Sequence, residues 1–298
     1  MVIDFHTHTF PEKIARRALE KLSGNSHAAF FTDGTDDGLV RSMQEAGIDI
    51  SVILPVATSP EQVIRINDSA AAKAEEREKL GLISFGAMHP AFEGWHGELA
   101  RIKDMDMRGI KVHPVYQEAP LDDMQFLRIY DRCAELGLAV VTHAGFDIGY
   151  PGVDLCSPDR SLHALRELRA GSRAEDGFVF ILAHMGGWRK WEEVLERAEE
   201  LKDAGPVMLD TAFSDRSFTP LHDGYWKEGE SEMLGADDFM KIIRAYGAER
   251  VLFATDSPWS VQAESVSFVR NLPLGAEEME AVLGGNARRV LRIQTACS

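Results

Sequence analysis

Residues 2–8 read VIDFHTH, an apolar, β-branched run that ends in two imidazoles, His6 and His8. Strands buried on both faces read as near-continuous apolar stretches, so a polar residue just past the run sits where a strand leaves the core. The same pattern recurs. His143 ends LAVVTHAG (138–145), His184 lies in FVFILAHMGG (178–187), and Asp256 lies in VLFATDSPW (251–259). Strand ends that converge at one rim are the mark of a parallel barrel. Imidazoles and a carboxylate gathered there form a ligand set for a divalent metal that activates water.

Working outward, apolar runs at Val2–His8, Asp49–Val56, Leu82–Pro90, Gly109–Pro114, Leu138–Gly145, Phe178–Gly186, Val207–Ala212 and Val251–Trp259 give eight candidate strands. Helical patterns lie between them. Trp191, Val194, Leu195, Ala198 and Leu201 form one apolar stripe, and Met124, Leu127, Tyr130 and Cys133 form another. Gly47, Gly81, Gly137 and Gly247 stand just before strands, where a left-handed residue closes a helix. Strand–helix alternation repeated in this way predicts a (β/α)8 TIM barrel, one domain over residues 1–298, with the site at the C-terminal ends of the strands. No GxGxxG follows an early strand, which argues against a doubly wound dinucleotide-binding sheet.

The net charge of -16 excludes the concentrated Lys/Arg face that nucleic-acid binding needs. Cys133, Cys156 and Cys297 are scattered and odd in number, so they read as reduced thiols. No apolar run is long enough for a membrane span, and no basic segment precedes the first strand as in a signal peptide. These features predict a cytoplasmic protein.

Residues i and i+2 of a strand share a face, so His6 and His8 are expected to point together into the barrel mouth, with Asp4 on the same face. Lys111 and His113 in GIKVHP (109–114) form a second such pair, His89 ends GAMHP (86–90), and Asp210 ends the seventh run. Buried ionisable groups cost free energy unless paired or metal-bound, so packing alone does not accumulate them. Lys111, His113, His89 and Trp259 are the substrate-binding candidates. His27, His96 and His163 are read as surface residues, and Met107, Trp191 and Met208 as packing residues. The segments Gly145–Pro158 and Phe213–Gly235 are the candidate lids.

From IDFHTHTFP through GIKVHP, VTHAG, ILAHMGG and FATDSPW to GGNARRVL, the chain resembles the amidohydrolase superfamily. It is most similar to the aminocarboxymuconate-semialdehyde decarboxylase-like branch, amidohydrolase family 2. The resemblance implies that His6, His8, His143 and Asp256 bind one divalent cation, zinc or else manganese. It makes His184 the histidine that orients and deprotonates metal-bound water, with Asp256 or His184 as catalytic base. A centre of two ions bridged by a carboxylated Lys111 is the alternative, with His143 and His184 sharing the second ion. The resemblance further implies homodimers. The function expected first is hydrolysis of an amide, lactone or ester. The alternative is non-oxidative decarboxylation of an aromatic or unsaturated acid, for which Arg189, Arg216 and Tyr150 are candidate substrate contacts. A metal-independent lactonase and an inactive barrel are the remaining readings.

Overall fold

The computed structural model describes residues 1–168 and 178–294, so Cys297 lies outside the described residues. Cys133 and Cys156 are free and buried. The strands are β1 (Ile3–Thr7), β2 (Ile50–Ile53), β3 (Leu82–Ser84), β4 (Gly86–Ala87), β5 (Gly109–Val112), β6 (Ala139–Thr142), β7 (Phe180–Leu182), β8 (Val207–Asp210) and β9 (Val251–Leu252). All pair in parallel, in the orders β1-β2-β3 and β4-β5-β6-β7-β8-β9. The single run expected over Leu82–Pro90 is interrupted at Phe85, so β3 and β4 occupy one barrel position. The ring closes between the first strand and the last. Phe5 N–H donates to Phe253 O (2.9 Å), Asp256 N–H to His6 O (2.8 Å), and His8 N–H to Ser257 O (2.7 Å). The protein is thus a (β/α)8 barrel.

Local chemistry sets the helix ends. Helix Asp36–Ala46 is capped by Thr35, whose side chain accepts the Gly38 N–H, and it closes at Gly47 with φ 66°. Helix Met124–Leu136 begins at Asp123, which accepts the Gln125 N–H, and closes at Gly137 with φ 65°. The predicted stripe after His184 forms two short helices, Trp191–Glu196 and Ala198–Ala204.

Two cores result. Ile110, Val112, Leu99, Ile129, Val194 and Ile242 lie in the layer between strands and helices. Ile3, Phe5, Val52, Phe85, Val141 and Ile181 fill the barrel, and Val290 and Leu291 of helix Asn286–Leu291 pack against them. The strand alternation breaks in β1. Its register on β2 shifts between Asp4 and Thr7. Ile3 and Phe5 face the interior, and so do His6 and His8 farther along, whereas Asp4 turns outward onto Thr255 and Gln262. A bulge of this kind re-aims side chains beside functional sites. It corrects the expectation that Asp4 shares the face of His6 and His8.

Gly145 follows β6 at φ 87°, and a Cβ there would lie 2.2 Å from Trp188 N. Replacing it with Ala is expected to cost about 3 kcal/mol of stability, because both the backbone angle and the approach of the next loop oppose a side chain. Thermal unfolding followed by circular dichroism tests this. A loss under about 1 kcal/mol would show that the two loops separate freely.

Candidate metal centre

β1 delivers His6, the residue just past it His8, and the segment after β9 Asp256, to one point above the barrel interior. His6 Nε2 lies 3.2 Å from His8 Nε2. Asp256 Oδ1 lies 3.1 Å from His8 Nε2 and 3.5 Å from His6 Nε2. The other face of each ring is anchored. His6 Nδ1–H donates to Asp210 Oδ2 (2.9 Å), and His8 Nδ1–H donates to Leu54 O (2.8 Å). These acceptor-only partners assign the proton to Nδ1 in both rings. Both Nε2 lone pairs therefore converge with a carboxylate oxygen. That arrangement is repulsive except where Lys111 Nζ meets His6 Nε2 at 3.2 Å, and it is the ordinary donor set of a divalent cation.

His143 and His184 repeat the arrangement. His143 Nε2–H donates to Phe146 O (3.1 Å) and His184 Nδ1–H to Ala212 O (2.9 Å). The remaining lone pairs, on His143 Nδ1 and His184 Nε2, face each other at 2.9 Å. The His184 ring centroid is 5.5 Å from that of His6. Lys111, fully buried on β5, places Nζ 3.2 Å from His6 Nε2. The residues present therefore fit a cation held by His6, His8 and Asp256. His143 and His184 present two further donor atoms beside it.

Electrostatics follow burial. Desolvation opposes charge on Asp256, but wherever His6 and His8 carry protons they outweigh it and hold the carboxyl at about 2. Burial pushes Lys111 down to about 8, against the pull of Asp210 and Asp256. Burial, reinforced by Lys111, holds His6 well below the usual imidazole range. Deprotonated imidazoles are the form that ligates metal. Burial raises Asp210, which His184 and Lys111 partly offset. It serves as a brace, with Oδ1 accepting the backbone N–H of His184 (2.9 Å) and of Ala212 (3.1 Å).

The backbone at the rim is left-handed where the site needs it. His184 and Met185 have φ 61° and 53°, ahead of Gly186, and Asp256 has φ 64°. Such residues concentrate at functional sites.

His113, at the end of β5, is sandwiched between Tyr116 (3.8 Å, 12°) and His143 (4.2 Å, 14°). Its Nε2 lies 3.4 Å from Asp147 Oδ2. His113, His143 and Asp147 form a second group of close donor atoms. His89 stands apart, its Nδ1 accepting the Ala91 N–H (3.1 Å). Trp259 packs at the rim, edge-on to Phe30 (6.5 Å). Arg216 is taken up by Asp215 and Glu264, each at 3.2 Å, while Arg189 donates to Glu230 O and lies over Trp188. Tyr150 meets Tyr116 edge-on.

Two residues escaped the sequence reading. Asp147 sits in a segment read only as a lid. Gln117 is buried, and its Oε1 accepts the His113 N–H (3.0 Å) while Nε2 donates to Ala57 O (2.8 Å) and Met88 O (2.7 Å). It ties three strand-end loops together, and the HPVYQ spacing that places it four residues after His113 carries no functional signal of its own.

The sequence pattern described as amidohydrolase matches residues 3–293. The chain belongs to the amidohydrolase family. Solved structures share its fold at low identity. A 2,6-dihydroxybenzoate decarboxylase from Rhizobium aligns at TM-score 0.67 and 15% identity, covering 98% of each chain. A dihydroxybenzoic acid decarboxylase from Polaromonas, with bound manganese and the inhibitor 2-nitroresorcinol, aligns at TM-score 0.66 and 15% identity, covering 99% of this chain and 98% of its own. An uncharacterized TIM-barrel protein from Bordetella bronchiseptica aligns at TM-score 0.70 and 18% identity, covering 98% of each chain. No curated protein matches the sequence. Among the described residues no helix is long and apolar enough to cross a membrane.

Proposed function

We propose that the protein is a metal-dependent carboxy-lyase that removes CO2 from a small aromatic or unsaturated carboxylic acid. The observation that carries this reading is the convergence of His6, His8 and Asp256 around one point, in a barrel whose structural relatives include decarboxylases of dihydroxybenzoic acids. These three residues would hold the ion, which supplies positive charge to bind and polarise an oxygen-rich substrate. Lys111 adds positive charge at the floor of the site, the role that Arg189 and Arg216 cannot fill from their present partners.

Losing CO2 from an acid requires a proton at the carbon that bore the carboxylate. His184 is placed to hold that proton at Nε2, because its Nδ1–H is committed to Ala212 O. His143 orients it from 2.9 Å. The Tyr116–His113–His143 stack fixes the ring planes beside this pair and provides a flat wall for a planar substrate.

The test is a panel of hydroxylated benzoic acids with manganese- or zinc-loaded protein. Carbon dioxide release without incorporation of oxygen from labelled water supports the lyase. Turnover confined to amides, lactones or esters, with label in the product acid, overturns it.

A hydrolase with two ions is the second reading. It is favoured by the facing lone pairs of His143 and His184 and by the nearness of Lys111 to His6. Elemental analysis tests the bridged centre, since about two ions per chain support it and about one overturns it, the labelled-water experiment then separating lyase from hydrolase at a single ion.

A further inference from the structure

Most of the donor side chains are withdrawn from solvent. His6, His143, His184, Lys111 and His113 are buried, whereas His8 keeps 18% of its side chain exposed and Asp256 11%. The mouth is therefore narrow, and movement of the rim would widen it. Beside them lies an aromatic cluster separate from the two main cores. Trp188, Phe213 and Phe218 form its centre, with Phe146, Trp226 and Trp259 packed around them. Phe146 O is the partner of His143, and Trp191, next to the cluster, donates its indole N–H to His184 O (3.1 Å).

The outer part of this cluster belongs to one segment, 213–234. Its two legs pair with each other: Arg216 N–H donates to Leu234 O (3.0 Å), Met233 N–H to Arg216 O (2.7 Å), and Phe218 N–H to Ser231 O (3.2 Å). Paired legs move as a unit. At the root, Phe213 and Arg216 have φ 47° and 59°, so the chain bends there away from regular structure. The root follows Ala212, the residue whose carbonyl holds His184.

The tip is fastened to residues 26–29, at the C-terminal end of helix Glu12–Ser26. Ala29 N–H donates to Thr219 O and Leu221 N–H to His27 O, both at 2.8 Å. The Trp226 indole donates to Ser26 O (3.0 Å). The His27 ring stacks on Tyr225 (3.9 Å, 3°), and its Nδ1 lies 2.6 Å from Asp223 Oδ2. Asp223, Gly224 and Tyr225 are exposed, so water can replace most of these contacts when the tip lifts. Contacts of that kind belong to the low-stability end of a structure, where lids are drawn from.

We infer that residues 213–234 are a latched flap, which opens by releasing its tip from residues 26–29 and so admits small molecules to the metal centre. His27, read from sequence as an ordinary surface residue, is part of the latch.

Ala28 and Pro220 stand directly opposite each other between the two backbone bonds. Residues so paired have Cα atoms about 4.5 Å apart, within disulfide range. The test uses Ala28→Cys/Pro220→Cys in a Cys297→Ser background, loaded with zinc. The rate of zinc transfer to EDTA is measured with the crosslink oxidised and after reduction by a phosphine. The oxidised form is expected to release zinc about tenfold more slowly than the reduced form, and Tyr225→Ala, which weakens the latch, to release it faster than the parent. Equal rates in the oxidised and reduced forms overturn the flap. Hydrogen exchange gives a metal-independent arm. The amides of Ala29 and Leu221 should exchange well before those of β5 and β6. Exchange of both sets at one common rate overturns the flap as well. A chain that binds no zinc would defeat the proposed function while leaving this second arm to judge the flap.

Discussion

Asp256→Asn is expected to weaken metal binding by more than about a hundredfold and to abolish turnover. The substitution is close to isosteric, and Asn tolerates the left-handed conformation that Asp256 adopts at φ 64°. The backbone bonds from Asp256 N–H to His6 O and from Trp259 N–H to Asp256 O should survive. What changes is the group facing His6 and His8. A carboxylate held near 2 is ionised throughout the working range, whereas the amide is neutral and offers a weaker oxygen. Two imidazoles then remain as the only strong donors in the primary group. The check is metal content after dialysis, together with thermal unfolding. A ligand present at a hundred times its Kd stabilises the folded state by about 2.7 kcal/mol, so the parent should gain a metal-dependent rise in Tm that the variant lacks. Retention of one equivalent of metal and the same rise would show that the ion is held elsewhere.

His184→Asn is expected to act on the reaction and spare the ion, lowering turnover by about 10²- to 10⁴-fold, the usual worth of a positioned acid–base group. Asn is chosen because His184 also has positive φ, and its backbone N–H must still reach Asp210 Oδ1. The imidazole proposed to hold the transferred proton disappears, while His6, His8 and Asp256 stay in place. Turnover and metal content measured together decide the role. Low activity at full metal content assigns His184 to proton transfer. Loss of an ion from a two-ion parent instead makes it a ligand, and the bridged hydrolase is then the better reading. The two substitutions thus separate binding from proton transfer at positions whose backbones tolerate the same replacement.

Much of this architecture was legible in the sequence because each element carries its own signal. Strands buried on both faces must be apolar throughout, so FVFILA and LAVV announce themselves, and glycine after helix Asp36–Ala46 or Met124–Leu136 marks a stop that only a left-handed residue makes cheaply. The HxH motif and the lone strand-end histidines could be placed at one rim because a parallel barrel gathers all its C-terminal strand ends there.

Other features depend on contacts between residues far apart in the chain, to which local periodicity is blind. The register shift in β1 is one. By simple alternation Asp4 belongs with His6, yet Thr255 and Gln262, some 250 positions away, draw it to the outer face. The tautomers are another, since Leu54 O, Asp210, Phe146 O and Ala212 O decide which nitrogen of each imidazole keeps a lone pair. Gln117 and His27 look unremarkable as letters. They acquire roles only when three loops meet at Gln117 and when the flap tip lands on His27. The sequence by itself determined that this is a barrel with a histidine- and aspartate-rich mouth, because burial pattern and spacing are properties of short segments. Only the tertiary structure decided which lone pairs face one another, which carboxylates brace and which converge, and where the predicted lid is fastened, because directional contacts exist only once distant segments are brought within a few ångströms.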